Sequence, residues 1–311
     1  MKDALPHRLR AAAPGDVQPG KADQDWLAPL TVALKPANEI GEILMIHGLG
    51  CTGSVWGAMQ AHLAARGMTC LAPTLLEMLR PRSPSVRTAP EIGFPDFVEE
   101  ARTFCRISTS RTGLPPVVIG HSMGGLIAQV LAVEGLCSKA VFLAPAPPKA
   151  IRNRSVGMLW CFANVLFSGD ETRYHRAWRT GAKHVLFHRL PTPQQDRAHA
   201  QMVFEPGKLF ADMANGIEVR AKDLRIPTLT VAARRDRAVP ARVVGCITDY
   251  YSRAPQPTTL KIYDQHGHWL LDEPDSAQLF DDVADWIEIP MKMNMNEAAW
   301  VKSVARQVGK V

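Results

Sequence analysis

Short β-rich runs alternate with stretches of helical spacing along most of this chain. Glu42 to Ile46 (EILMI), Met68 to Ala72, Val117 to Ile119, Ala140 to Leu143, Thr228 to Ala232 and Thr259 to Tyr263 read as strands, the first apolar enough to be buried on both faces. Leu30 to Leu34 reads as one more strand ahead of them. Between these runs, helices are predicted from Ser54, as N-cap, through Ala65 with Gly67 beyond its end, and over Phe97–Ile107, Leu126–Glu134, Ala241–Tyr250 and Ser276–Ile287. Strand and helix in alternation predict a parallel sheet covered by helices on both faces.

Two segments break the rhythm. Pro73 to Pro95 is crowded with proline, serine and arginine and reads as a long surface loop. From about Ile151 to Val219 aromatic and basic residues recur at helical spacing, with breaks at Gly169 and at Pro191 to Pro193, which predicts a helical insertion. The organisation expected is a flexible tail over 1–25, an α/β core over 26–146 and 222–289, a helical insertion over 147–221, and a C-terminal tail over 290–311 with amphipathic helical spacing.

Composition narrows the function classes. With 311 residues, 46% of them hydrophobic, the chain can bury one large core. Lys and Arg outnumber Asp and Glu by 36 to 30, but no basic run is interleaved with aromatics and no nucleic-acid motif appears, so a nucleic-acid partner is set aside. The cysteines at 51, 70, 105, 137, 161 and 246 have neither C-x-x-C pairing nor metal-finger spacing and read as reduced core residues. The N-terminal segment lacks the apolar stretch of a secretory signal, and no segment is apolar enough to span a bilayer, so a cytoplasmic protein is the default expectation.

The chemistry is concentrated in VVIGHSMGGLIAQVLA, where Gly120-His121-Ser122-Met123-Gly124 lies between an apolar strand and an apolar helix. A serine lifted above a sheet on a strained strand-to-helix turn needs small residues on both sides, and this G-x-S-x-G segment supplies them. Ser122 is a poor nucleophile until a base takes its proton, so a histidine and a carboxylate orienting that histidine are required.

With this motif in place, the chain resembles the α/β-hydrolase superfamily over about Leu30 to Ile287, in its serine-nucleophile branch of esterases, lipases and thioesterases with a helical lid. The resemblance implies a mostly parallel, doubly wound sheet carrying that lid. His47-Gly48-Leu49-Gly50, directly after EILMI, is similar to the family's oxyanion loop, implying the Leu49 and Met123 amides as oxyanion donors and a bracing role for His47. The family order of serine, acid, histidine points to Asp236 in ARRDRAVP, with Asp223 and Asp249 as poorer candidates, and to His268 in DQHGHWLLDEP. His266 falls before the glycine that shapes the loop, and the metal-binding reading of this H-x-H has no third ligand. No cofactor and no metal is implied.

The chain departs from the family where many relatives carry D-x-R-G-x-G-x-S; here the sequence is LAPTLLEMLRPRSPS. A serine nucleophile separates it from the superfamily's dehalogenases and epoxide hydrolases, which use aspartate. Trp160, Phe162 and Phe167 in the insertion are candidates to line a substrate site or to form the lid's own core, and Arg173, His175, Arg176, Arg179, Lys183 and His184 make its middle basic, for an anionic group on the substrate or as a solvated helix face. The expected activity is cleavage of a small-molecule ester or thioester, anionic or carrier-linked where the basic residues meet it. A ligand receptor that has kept the fold, and an acyltransferase or lyase using the same residues, stay open, as does the oligomeric state.

Overall fold

The computed structural model describes residues 40–84, 88–256 and 258–289. The strand expected at Leu30–Leu34 and both terminal tails lie outside the described residues.

Six strands form one all-parallel sheet: β1 (Ile43–Ile46), β2 (Cys70–Leu71), β3 (Val117–His121), β4 (Lys139–Leu143), β7 (Thr228–Ala233) and β8 (Thr258–Tyr263), in the order β2-β1-β3-β4-β7-β8. Successive residues of a strand point to opposite faces, and the two cores follow that period. Leu44, Ile46, Val118, Ala140 and Phe142 pack against α2 (Phe94–Thr112), α3 (Met123–Val133) and α9 (Ala241–Tyr251). Ile43, Met45, Val117, Ile119, Val141, Leu143 and Val231 face α1 (Gly57–Ala65) and α10 (Ser276–Glu288). β1, β3 and β4 are buried throughout, as the near-continuous apolar runs require.

Several boundaries differ from the sequence reading. Ser54 caps no helix: its hydroxyl bonds Thr52 inside a 3₁₀ turn over Gly53–Trp56, and α1 starts at Gly57. α2 is longer than expected at both ends. It starts at Phe94, where Asp96 accepts from the Gly93 amide, and ends where Gly113 takes φ 78°. The segment read as a surface loop is partly interior: Leu75 is buried and Arg80 is 3% exposed. Cys70 is half-buried and Cys246 exposed rather than core.

Between β4 and β7 lie α4 (Val156–Cys161), α5 (Ala163–Ser168), α6 (Arg179–Val185), α7 (Thr192–Gln201) and α8 (Gly207–Asn215). A two-stranded antiparallel ribbon, β5 (Tyr174–His175) with β6 (Glu205–Pro206), also lies here, too short to leave a period in the sequence. The inner faces of α4 to α6 share a third apolar cluster with Ala238 and Val239 after β7, Val243 of α9 and Trp269 after β8. Polar ties reinforce it: Asn153 Nδ2 donates to Ala238 O at 2.9 Å and Arg189 Nε to Gln265 O at 3.0 Å.

Candidate active site

Ser122 stands between β3 and α3 with φ 55° and ψ −118°. That region costs a non-glycine residue energy and persists only where surroundings enforce it. Here the Ser122 amide donates to Leu143 O at 3.0 Å and its carbonyl accepts from the Ala146 amide at 2.9 Å. The flanking glycines are demanded by contact: a Cβ on Gly120 would meet Gly124 O, and one on Gly124 would meet Ile46 O.

The loops after β7 and β8 bring two more groups to this turn. His268 Nε2 lies 3.0 Å from Ser122 Oγ, and His268 Nδ1 lies 2.8 Å from Asp236 Oδ2. The Asp236 carboxylate is fully buried, and its other oxygen accepts the amides of Ala238 at 2.7 Å and Val239 at 2.8 Å. With Asp236 ionised, His268 carries its proton on Nδ1 and offers Nε2 to the serine hydroxyl. Ser122, Asp236 and His268 are thus joined in one hydrogen-bonded chain. His266 does not enter it; its Nε2 is buried without a partner among the described residues. Among those residues no group of three or more His, Cys, Asp and Glu could hold a metal ion.

The loop carrying His268 is braced by three hydrogen bonds from two side chains. Glu273 accepts the amides on either side of it, Gly267 at 2.6 Å and Trp269 at 3.2 Å. Burial pushes the Glu273 carboxyl up to about 7, against the opposing pull of those amides. His121 Nε2–H donates to the carbonyl of His268 itself at 2.8 Å. Burial, with His268 alongside, lowers His121 to about 3, so its ring is neutral at ordinary pH.

The turn 47–51 lies beside Ser122, with Gly48 against the Ser122 Cβ. His47 Nδ1–H donates to Gly48 O at 2.9 Å while its Nε2 accepts the Leu75 amide at 3.0 Å. Burial, then the Arg80 guanidinium, hold His47 down at about 3. The amides of Leu49 and Met123 have no acceptor among the described residues, whereas that of Gly50 donates to Glu205 Oε1 at 2.6 Å. Glu205 in turn is paired with Arg80. Neither residue was indicated by the sequence, because Arg80 sits in a proline-rich stretch and Glu205 beside a proline between helices.

Of the aromatic candidates, Phe162 packs against Phe210 inside the insertion and Phe167 is 90% exposed. Trp160 lines a cavity of about 420 Å³ with Val156, Gly157, His184, Val185 and Arg237. A second cavity of about 540 Å³ shares His184 and Arg237 and adds Arg179, Lys183 and His188. Arg179 and Lys183 there both reach Asp196 at 2.7 Å.

Comparison with known proteins agrees with this architecture. The profile of the Alpha/beta hydrolase family matches residues 43–281, and the chain belongs to that family. It is 27% identical over 201 residues to a monoacylglycerol lipase of Mycolicibacterium smegmatis, covering 62% of this chain and 69% of that one. Among solved structures, a methylesterase from Arabidopsis superposes with a TM-score of 0.59 at 12% identity, over 81% of this chain and 100% of that chain. A pyrethroid hydrolase from Sphingobium faniae JZ-2 gives 0.57 at 19% identity, over 81% and 98%. The fold is an α/β hydrolase with esterase and lipase relatives, and among the described residues no helix is long and apolar enough to cross a membrane.

Proposed function

We propose that this protein is a serine hydrolase that cleaves a carboxylic ester or thioester through an acyl-enzyme on Ser122. The observation that carries the reading is His268 Nε2 at 3.0 Å from Ser122 Oγ, with Nδ1 at 2.8 Å from a fully buried Asp236 carboxylate.

In the first half-reaction Ser122 Oγ attacks the acyl carbon while His268 Nε2 takes its proton, and Asp236 stabilises the imidazolium. Negative charge develops on the carbonyl oxygen and is met by the Leu49 and Met123 amides. Such donors are worth about 2.7–4 kcal/mol each in a transition state. Collapse breaks the bond to the alcohol or thiol, which leaves with the proton from His268. Water, deprotonated by His268, then attacks the acyl-enzyme, releasing the acid and restoring Ser122.

The helices between β4 and β7 serve as the lid, with Trp160 at the apolar end of the substrate space and Phe162 as its internal packing. Arg179, Lys183 and Arg237, with His184 and His188, line the second cavity, whose lining does not include Ser122, Asp236 or His268; with Arg179 and Lys183 paired to Asp196, Arg237 is the charge there best placed to meet an anionic or carrier-linked substrate. A small-molecule carboxylic ester agrees with the activity named for the monoacylglycerol lipase relative.

Hydrolysis of p-nitrophenyl butyrate and butyryl-coenzyme A, by wild type beside Ser122→Ala, tests the reading. Turnover of at least one, abolished by the substitution, supports it; a folded wild type that cleaves neither sinks it.

A further inference from the structure

The turn that carries Leu49 is held by groups from outside the sheet. Glu205, from β6 in the insertion, accepts the Gly50 amide at 2.6 Å, and the neighbouring Val203 amide donates to Gly50 O at 2.9 Å. Arg80 donates through Nη2 to Cys51 O at 2.6 Å and faces His47 Nε2 through Nη1 at 3.2 Å. The two charged side chains are each 1% exposed and meet through a two-pronged bond, Nε to Oε2 at 2.7 Å and Nη2 to Oε1 at 2.6 Å.

A buried ion pair is a poor device for stability, because desolvation offsets most of the attraction and an apolar pair of similar volume serves as well or better. What it supplies is direction. The guanidinium fork fixes the carboxylate plane, and the carboxylate fixes the Gly50 amide; Gly50 takes φ 72°, which glycine adopts without strain, so these bonds select one of several backbone orientations open to it. With the amides of Gly50 and Cys51 occupied, the Leu49 amide, like that of Gly48, has no protein acceptor among the described residues.

We infer that Arg80 and Glu205 are positioning residues: a buried strut that ties the insertion to the oxyanion turn and sets the Leu49 amide where the oxyanion forms. The inference rests on the serine-hydrolase reading. It links lid and chemistry physically, since displacing β6 removes the acceptor of the Gly50 amide. Arg80 is delivered by the loop LAPTLLEMLRPRSPS, where the sequence departs from the D-x-R-G-x-G-x-S pattern.

The test is kcat and KM for p-nitrophenyl butyrate, normalised to serine titrated to completion with a fluorophosphonate, in wild type, Glu205→Gln, Arg80→Lys and the charge-free double variant Arg80→Met/Glu205→Gln. Normalisation counts only folded molecules, and the double variant leaves no stranded charge. Misplaced oxyanion donors cost transition-state rather than ground-state binding, so kcat should fall about 10- to 100-fold with KM within about threefold. Affinity for a boronic acid that forms a tetrahedral serine adduct should fall by a similar factor. Normalised kcat within twofold of wild type in the variants, with a changed melting temperature alone, would reduce the pair to a structural role and overturn the inference. A wild type that neither labels nor hydrolyses would remove the serine-hydrolase reading first, and the strut with it.

Discussion

His121 donates from Nε2–H to the backbone carbonyl of His268 at 2.8 Å, with the two ring centroids 5.0 Å apart. The residue before the serine therefore steadies the residue that faces it. Since burial keeps His121 neutral, its pKa being lowered to about 3, this bond persists across the pH range of any ordinary assay. His121→Leu leaves that carbonyl unsatisfied, and unfolding in urea should show a loss of roughly 1–3 kcal/mol. We expect kcat per folded molecule to fall about tenfold, and unchanged kcat would assign the ring to packing alone.

Gly124→Ala tests the elbow independently of any side-chain chemistry. The added Cβ would meet Ile46 O and His47 O, both backbone atoms of the neighbouring strand end. Overpacking of this kind typically costs about 1–3 kcal/mol. Urea unfolding should show at least that loss, together with abolished hydrolysis; a stable, active variant would mean the elbow is looser than the geometry requires.

Much of this site was legible in the sequence because its chemistry is local. Ser122, Asp236 and His268 each follow a β-rich run, and a parallel sheet gathers the ends of its strands on one edge. Leu49 and Met123, the proposed oxyanion donors, follow β1 and β3 in the same way. Arg80, Glu205 and the bracing by His121 were not, since each acts on a partner far away in sequence: Arg80 and Glu205 are 125 residues apart. The β5–β6 ribbon carries two residues per strand, too few to show a period of two. The start of α1 lies at Gly57 in place of the Ser54 cap because a 3₁₀ turn over Gly53–Trp56 intervenes.

Glu273 makes stability depend on pH. Its carboxyl titrates at about 7 in the folded protein against an ordinary 4.5, so between those values the folded chain holds a proton that the unfolded chain has released. The stability from this group is therefore present below about pH 4.5 and lost as pH rises through about 7. At 1.36 kcal/mol per pKa unit the whole shift corresponds to roughly 3–3.5 kcal/mol, of which roughly 2–3 kcal/mol is lost between pH 5 and pH 8. Urea midpoints for wild type and Glu273→Gln at pH 5 and pH 8 should show wild type losing its relative advantage by that amount, and a difference independent of pH would contradict the assignment.

The basic cavity predicts a charge preference. Lys183→Ala/Arg237→Ala should raise KM for an acyl ester bearing a terminal carboxylate about three- to tenfold, and leave KM for its neutral methyl-capped counterpart within twofold. These side chains are partly exposed, so the effect should shrink in 0.5 M salt. Equal KM changes for the two esters would make the cavity a solvated surface with no part in recognition.

The central claim is that Ser122 is activated by His268 and Asp236. Labelling by a fluorophosphonate, followed on wild type, Ser122→Ala, His268→Ala and His266→Ala, tests it most directly. The account predicts rapid labelling of wild type and His266→Ala, no labelling of Ser122→Ala, and labelling at least about 100-fold slower in His268→Ala. A folded wild type that does not label, or labelling that survives Ser122→Ala, would contradict it.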